Sequence, residues 1–239
     1  MSTAPPAMIF AAGIGKRMRP LTAMTPKPLI EVAGKALIDH ILDRLQGGGV
    51  DRFVVNVHYL ADLVEVHVRR RLGERVRISD ERGQLLDTGG GLVKALPALG
   101  DGPFILANAD TFWIDGASNN IARLIAGFDP DRMDALLLCA PTVGAVGYRG
   151  PGDFALAPDG EIAWRNPRKN SPFVYAGCGI FSRAAIEDAP EGPFSMSWAF
   201  KRMIKRERLF GQRLDGLWLH VGTPNSVREA DAAYHSSVG

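Results

Sequence analysis

Little in this chain of 239 residues points to a membrane, to nucleic acid or to an oxidising compartment. No apolar run reaches the length that crosses a bilayer. The segment Met1 to Ala7 has no basic stretch ahead of an extended apolar core, so no secretory leader is expected. The formal net charge is only +2, which gives no reason to expect nucleic acid or an anionic membrane as the main partner. The basic runs Arg69-Arg70-Arg71 and Lys201 to Arg208 fall in helical-looking stretches and read as solvated faces. Only two cysteines occur, Cys139 and Cys178, each in or after an apolar stretch. They read as buried free thiols in a reducing cytoplasm, not as a disulfide or a metal pair. Repeats and low-complexity linkers are absent as well. A hydrophobic content of 46% is ample for a core.

Two familiar phosphate loops are also missing, and what stands in their place is informative. Met8, Ile9 and Phe10 read as a buried strand that runs into Ala11-Ala12-Gly13-Ile14-Gly15-Lys16-Arg17-Met18, followed by Pro20-Leu21-Thr22 and Pro26-Lys27-Pro28-Leu29. The dinucleotide fingerprint needs a third glycine where Met18 stands. The P-loop needs Ser or Thr after Gly15-Lys16, where Arg17 stands. Glycines that bring bare N–H groups close to a ligand, with Lys16, Arg17 and Lys27 on the same loop, suit an anion of several charges such as a nucleoside triphosphate.

Along the chain, strands alternate with helices. Arg52 to Val57, Val76 to Ser79, Phe104 to Ala107 and Ala135 to Ala140 read as strands. Leu37, Ile38, Ile41, Leu42 and Leu45 form one helical stripe, and Leu60, Leu63, Val64, His67 and Val68 another, with a third short helix over Gly91 to Leu99. Such alternation predicts parallel strands with right-handed crossovers, an α/β fold. Between Gly144 and Arg165 the turns Pro151-Gly152 and Asp159-Gly160 predict hairpins. Phe173 to Phe181 reads as a strand, Met196 to Lys205 as a helix and Leu217 to Val221 as a strand. A last helix starts near Thr223-Pro224, with Thr223 at its N-cap.

The opening loop resembles that of the sugar-1-phosphate nucleotidyltransferases, Ala-Ala-Gly-x-Gly-x-Arg-Met/Leu-x-Pro-Leu-Thr with Pro-Lys-Pro a few residues on. The resemblance implies a Rossmann-like nucleotidyltransferase (GT-A-like) fold, with a mixed, mostly parallel central sheet and helices on both faces. It implies a single domain over 1–239, with the nucleotide over about 1–115 and the sugar over about 116–239. The C-terminal β-helix or oligomerisation extension that many relatives carry is not expected here, and the expected state is a monomer or small homo-oligomer. The implied reaction is attack of a sugar-1-phosphate oxygen on the α-phosphorus of a nucleoside triphosphate, releasing pyrophosphate without a covalent enzyme intermediate. Arg17 then corresponds to the arginine on the triphosphate and the leaving pyrophosphate, and Lys27 to the lysine bridging the two reacting phosphates. Lys16 is a peripheral helper or solvated, and Ala11, Ala12, Gly13 and Gly15 supply the backbone cradle.

Two further segments belong to the nucleotide. In Leu106-Ala107-Asn108-Ala109-Asp110 an apolar strand ends in an aspartate, where open α/β sheets bind ligands. Asp110 is the expected metal ligand, for Mg²⁺ with Mn²⁺ as an alternative, and Asn108 sits beside it. Ala109 replaces the family's usual glycine. The second segment, Ser79-Asp80-Glu81 and then Asp87-Thr88-Gly89-Gly90-Gly91, resembles the one that reads the base. Glu81 is placed to accept from N3–H of uracil or thymine, or from N1–H of guanine. Thr88 precedes Gly89 and Gly90, which let the base or ribose sit against the backbone.

On the sugar side, Tyr175-Ala176-Gly177-Cys178-Gly179 resembles the strand beside the sugar, making Gly177 and Cys178 candidates, and Asp153 is placed to reach sugar hydroxyls. The glutamate that many relatives carry before that strand is absent from Arg165-Asn166-Pro167-Arg168. Within the family the resemblance extends furthest to a group of short members, the N-acetylmuramic acid 1-phosphate uridylyltransferases of bacterial wall recycling. The shared runs are Asp87 to Gly91, Gly150-Pro151-Gly152-Asp153-Phe154, and Trp218-Leu219-His220-Val221-Gly222-Thr223. His220 departs from the family, which has a second metal-binding aspartate there. Imidazole is a poorer ligand for Mg²⁺ than for Mn²⁺. Metal held by Asp110, phosphates and water, metal held by His220, and impaired activity all stay open. The favoured expectation is a cytoplasmic, metal-dependent enzyme acting on UTP and N-acetylmuramic acid 1-phosphate. The alternatives are a guanylyltransferase for mannose- or heptose-1-phosphate and a non-catalytic sensor of nucleotide sugars.

Overall fold

A computed structural model describes residues 4–238. Of the segment Met1 to Ala7 the first three residues lie outside the described ones, as does Gly239. The chain opens with β1 (Ala7–Phe10), whose end carries the glycine loop and a short hairpin, β2 (Glu31–Val32) and β3 (Lys35–Ala36). Three crossovers follow: α1 (Leu37–Gly47) to β4 (Phe53–Val57), α2 (Ala61–Leu72) to β5 (Val76–Asp80), and α3 (Asp87–Leu99) to β6 (Phe104–Asn108). Next come β7 (Thr111–Asp115), α4 (Asn120–Gly127), β8 (Ala135–Pro141), the hairpin strands β9 (Phe154–Leu156) and β10 (Ile162–Trp164), and β11 (Phe173–Phe181). The last elements are α5 (Ser197–Lys205), β12 (Leu209–Arg213), β13 (Gly216–His220) and α6 (Pro224–Val238).

The main sheet runs β10-β9-β11-β6-β1-β4-β5, with β8 on β11 and β12 on β8. Strands β1, β4, β5 and β6 are mutually parallel, β11 enters antiparallel to β6, β8 and β9, and β12 is parallel to β8. Only β10 and β11 therefore oppose the common direction. The central strands read as unbroken apolar runs because both faces are covered. Ile9, Val55 and Ile105 pack with Ile41, Leu45, Val64 and Leu124 from α1, α2 and α4. Met8, Val54 and Leu106 face the other way, onto Leu92 and Ala95 of α3 and Ala199 and Met203 of α5. Burying one such Leu, Ile or Phe contributes on the order of 1.5–3 kcal/mol. A separate ribbon, β7 paired antiparallel with β13, carries Phe112 and Leu219 into a third cluster with Met18 and α6.

Differences from the sequence-based expectation have local causes. In the α2 stripe Val64 and Val68 are buried, but Leu63 is exposed and Leu60 precedes the helix in a left-handed conformation. Helix α3 starts at Asp87, ahead of the expected Gly91. The glycine run is helical because the amides of Gly89 and Gly90 both donate to the Phe194 carbonyl, a tertiary contact that outweighs low helix propensity. At the start of α6, Ser226 N–H donates to Thr223 Oγ1 at 3.2 Å and Thr223 N–H donates to Ser226 Oγ at 2.9 Å, a reciprocal cap.

Candidate active site

The ends of β1, β4 and β6 and the start of α3 surround a cavity of about 390 Å³. Its lining includes Ala11, Ala12, Gly13, Lys27, Thr88, Asn108 and Asp110 from the sequence-based candidates. The structure thus gathers three segments that lie far apart in the chain. Lys27 Nζ donates to Asp110 Oδ2 at 2.7 Å, with side-chain exposures of 12% and 30%. In the 3₁₀ turn over Lys27–Leu29, Pro26 before the lysine and Pro28 after it fix the lysine's approach. Burial pushes the Asp110 carboxyl up, but the charge and hydrogen bond of Lys27, with His220 and Arg17 further off, outweigh it and hold its pKa below the ordinary carboxylate value. Asp110 is therefore an anion at neutral pH, and its Oδ1 makes no hydrogen bond among the described residues.

Other candidates flank this cavity without lining it. Gly15 is left-handed (φ +66), and a Cβ there would lie 2.9 Å from Thr22 Cγ2. Its carbonyl accepts from Thr22 Oγ1, so the glycine closes the loop on itself. Lys16 and Arg17 are exposed on the next turn. His220 comes beside Asp110 because β13 pairs with β7 in the register His220 to Thr111, and Val221 N–H donates to the Asp110 carbonyl at 3.0 Å. Its ring stacks on Trp218 and meets Tyr148 edge-on. Burial, reinforced by Lys27 and Arg17 against the pull of Asp110, lowers its pKa, so the imidazole is neutral at pH 7.

Several expectations are corrected. Glu81 does not face the cavity: it is 1% exposed, accepting from Asn56 Nδ2 at 2.7 Å and from Leu86 N–H at 3.0 Å. Gly89 and Gly90 are buried against the 192–196 segment, where a Cβ would strike the Phe194 ring and the Gly192 carbonyl, each within 2.4 Å. They serve close packing, and of that run only Asp87 and Thr88 line the cavity. Thr88 Oγ1 also accepts from Met196 N–H at 2.9 Å. Cys178 is wholly buried in the core, where burial pushes its thiol up to about 12, and it does not line the cavity. Gly177 is likewise internal, left-handed (φ +82) in a β11 irregularity, where a Cβ would lie 2.4 Å from Thr111 Oγ1. Asp153 is half-buried, and its Oδ2 accepts from Tyr175 N–H at 3.0 Å, which steadies the same irregularity.

Asn56 went unread in the sequence. This amide lines the cavity from the end of β4, and its Oδ1 accepts from Ala11 N–H at 2.8 Å. The available signal was a lone amide inside the otherwise apolar Phe53–Val57. Phe10, Pro28, Leu85 and Asp87 complete the lining with Ala109. Asp87 sits left-handed at the first position of α3 (φ +57), and its carboxylate Oδ1 accepts from Thr88 N–H.

Known proteins share this architecture and sequence. Residues 7–156 match the family model described as a MobA-like NTP transferase domain. A curated N-acetylmuramate alpha-1-phosphate uridylyltransferase from Caulobacter vibrioides is 47% identical, covering 97% of this chain and 98% of its own length. Another of that description, from Neisseria meningitidis serogroup B, is 34% identical, covering 95% and 96%. In fold, the chain is similar to HddC from Yersinia pseudotuberculosis complexed with GMP-PN, with a TM-score of 0.75, 21% identity and coverage of 96% and 99%. The chain belongs to the MobA-like NTP transferase family, within the branch that includes the curated N-acetylmuramate alpha-1-phosphate uridylyltransferases.

Proposed function

We propose that this protein transfers UMP from UTP to N-acetylmuramic acid α-1-phosphate. An oxygen of the sugar phosphate attacks the α-phosphorus, a new P–O bond forms, the bond to the α,β-bridging oxygen breaks, and pyrophosphate leaves with that electron pair. The observation that carries the reading is the Lys27–Asp110 pair at a cavity walled by the glycine loop. Relatives 47% and 34% identical over nearly the whole chain favour uridylyl over guanylyl transfer.

Each residue's part follows from its position. The loop backbone over Ala11 to Gly13 cradles phosphate oxygens, and Lys27 draws the two reacting phosphates together. Arg17, on the exposed rim, neutralises the departing pyrophosphate. Asn108 and Thr88 hold ribose and acceptor groups at the cavity's far wall, and the exposed Asp87 carboxylate is placed for ribose hydroxyls. The nucleotide lies over the first half of the chain and the sugar over the second.

The donor set fits a divalent cation that arrives with the triphosphate. Among the described residues no three His, Cys, Asp or Glu side chains form a ready-made cage. One carboxylate, completed by phosphate oxygens and water, is the usual arrangement for Mg²⁺ in phosphoryl-transfer sites. Asp110 would hold the ion through Oδ1, with His220 adjacent. The ion would offset charge on the phosphates. Among the described residues no helix is long and apolar enough to cross a membrane.

Incubation of the purified chain with UTP, N-acetylmuramic acid α-1-phosphate and Mg²⁺ tests the proposal. UDP-N-acetylmuramic acid and pyrophosphate should appear in equal amounts by mass spectrometry and phosphate assay. Absence of the nucleotide sugar with an intact fold refutes it.

A further inference from the structure

The catalytic cavity lies at the carboxyl ends of the parallel strands. At their amino ends is a second cleft, of about 620 Å³, entered between Pro6, the start of β4, the start of β5 and the last turn of α3. Arg52, Arg75 and Arg77 all line it. Strand register explains why they meet. Phe53 pairs with Val76 and Val54 with Arg77, so Arg52 and Arg75 lie side by side one step earlier. Arg77 shares the face of Val54, its strand partner, and Arg75, the last residue of the turn Gly73–Arg75 that leads into β5, lines the same cleft. That face packs on Leu92, Ala95 and Leu99 of α3. The helix stops at Leu99 and leaves this edge of the sheet open. Phe53, Val54, Pro97 and Leu99 give the cleft apolar walls.

The charge in this cleft is only partly offset from within the protein, since three arginines line it against one wall carboxylate, Glu74. Several other arginines of this half have carboxylate partners: Arg44 with Asp115 at 3.0 Å, Arg69 with Glu65 at 2.9 Å, and Arg71 with Asp43 at 2.7 Å. Arg82 binds Asp62, Glu65 and Asp80. Among the described residues, Arg75 and Arg77 have no carboxylate within 4.0 Å, and Arg52 reaches only its sequence neighbour Asp51, at 4.0 Å. Arg75 Nε donates to the Leu72 carbonyl at 3.3 Å. Glu74 is the acidic residue on the wall and makes no ion pair within that distance. At the rim, Arg183 is already engaged by the Gly100 carbonyl and by Asp101. Like charges gathered around a concave, partly apolar surface repel one another, and a polyanion between them converts the repulsion into binding.

We propose that this cleft is a second anion site, distinct from the catalytic cavity, for a small phosphorylated metabolite with at least two negative charges. The guanidinium forks match phosphate oxygens, and the apolar walls take the carbon body. None of its lining residues belongs to the catalytic cavity, so the site stands or falls independently of the proposed reaction.

Titration calorimetry with inorganic pyrophosphate tests it on the full chain. The wild type should bind at two sites. Arg17→Ala/Lys27→Ala should retain one of them. Arg75→Ala/Arg77→Ala should lose that retained site, its affinity falling at least tenfold, while keeping the catalytic one. Both arginines are exposed, so the fold should persist, and Arg52→Ala should weaken the same site by a smaller factor. Wild-type binding by the Arg75→Ala/Arg77→Ala variant, or no binding at all by the Arg17→Ala/Lys27→Ala variant, overturns the proposal.

Discussion

Asn56 Nδ2 donates to Glu81 Oε1 at 2.7 Å, and only a carboxylate can complete this contact. The reason lies in the donors at each end. Ala11 N–H donates to Asn56 Oδ1, and Leu86 N–H donates to Glu81 Oε2. With backbone donors at both ends and an amide in the middle, position 81 must accept on both sides. Gly91 makes room for it, since a Cβ there would lie 2.7 Å from Glu81 Oε1. The relay ties the glycine loop to the approach of α3 and so sets the distance between two walls of the cavity.

Glu81→Gln should therefore be destabilising despite its equal size, because any amide orientation sets two donors face to face. The expected loss is about 1–3 kcal/mol, read from urea unfolding. In catalysis the KM for UTP should rise more than kcat falls, since the relay shapes binding and touches no reacting atom. Wild-type stability in Glu81→Gln would contradict this account.

Lys27→Ala and Arg17→Ala should each lower kcat by about 100-fold, equivalent to about 3 kcal/mol of transition-state stabilisation. Thermal melts should stay close to wild type, except that Lys27→Ala leaves Asp110 without its ion-pair partner. Steady-state pyrophosphate release provides the measurement, and near-normal turnover in either variant removes that residue from the reaction.

How much of this was legible in the sequence depended on whether the signal was local. The turn geometry of the glycine loop is legible because it is local, set by Gly13, Gly15 and the prolines around Lys27. Phe173–Phe181 could be read because a long apolar run bounded by Pro172 and Ser182 has few alternatives. Asn56 could not, since a single amide in a strand has no local signature; its meaning comes from Ala11 and Glu81, which are brought to it only by the sheet. For Glu81 the sequence gives a position after β5 but not the direction of the turn that carries it inward. The packing of Gly89 and Gly90 is illegible for a similar reason, since Phe194 lies more than a hundred residues away and nothing nearby announces it. The strands Thr111–Asp115 and Leu209–Arg213 and the helix Asn120–Gly127 are short, and their pairing and packing, not their composition, define them.

His220 is fixed by aromatic packing, with its ring centroid 5.7 Å from that of Trp218 and 6.2 Å from that of Tyr148. Rates with Mg²⁺ and Mn²⁺ should accordingly stand in the same ratio, within about twofold, in the wild type and in His220→Asp, since phosphate oxygens and water complete the shell. A wild-type preference for Mn²⁺ that His220→Asp reverses would make the imidazole a ligand.

Stability should fall on mild acidification because of His40. Its ring stacks on Phe112 at 4.1 Å, and its Nε2 is 2.9 Å from the Val32 carbonyl. Burial lowers its pKa, and nearby Lys35 and Arg44 add to this, against the Val32 bond and Asp43. The unfolded chain takes up this proton near pH 6.5 while the folded chain resists it, so the contribution is complete above that pH and declines as pH falls below it. Urea unfolding from pH 7.5 to 5 should show a shallower slope in His40→Phe than in the wild type, by at most about 1.4 kcal/mol per pH unit. Equal slopes would contradict it.

The central claim is that the cavity beside Lys27 and Asp110 joins a uridylyl group to N-acetylmuramic acid α-1-phosphate. The most direct measurement is kcat/KM for UTP, CTP, GTP, ATP and dTTP against N-acetylmuramic acid, N-acetylglucosamine, glucose and mannose α-1-phosphates, read as pyrophosphate release. The account predicts the highest value for UTP with N-acetylmuramic acid α-1-phosphate, by at least tenfold over GTP with mannose 1-phosphate. A preference for GTP or ATP, or no release with any pair from a folded protein, would contradict it.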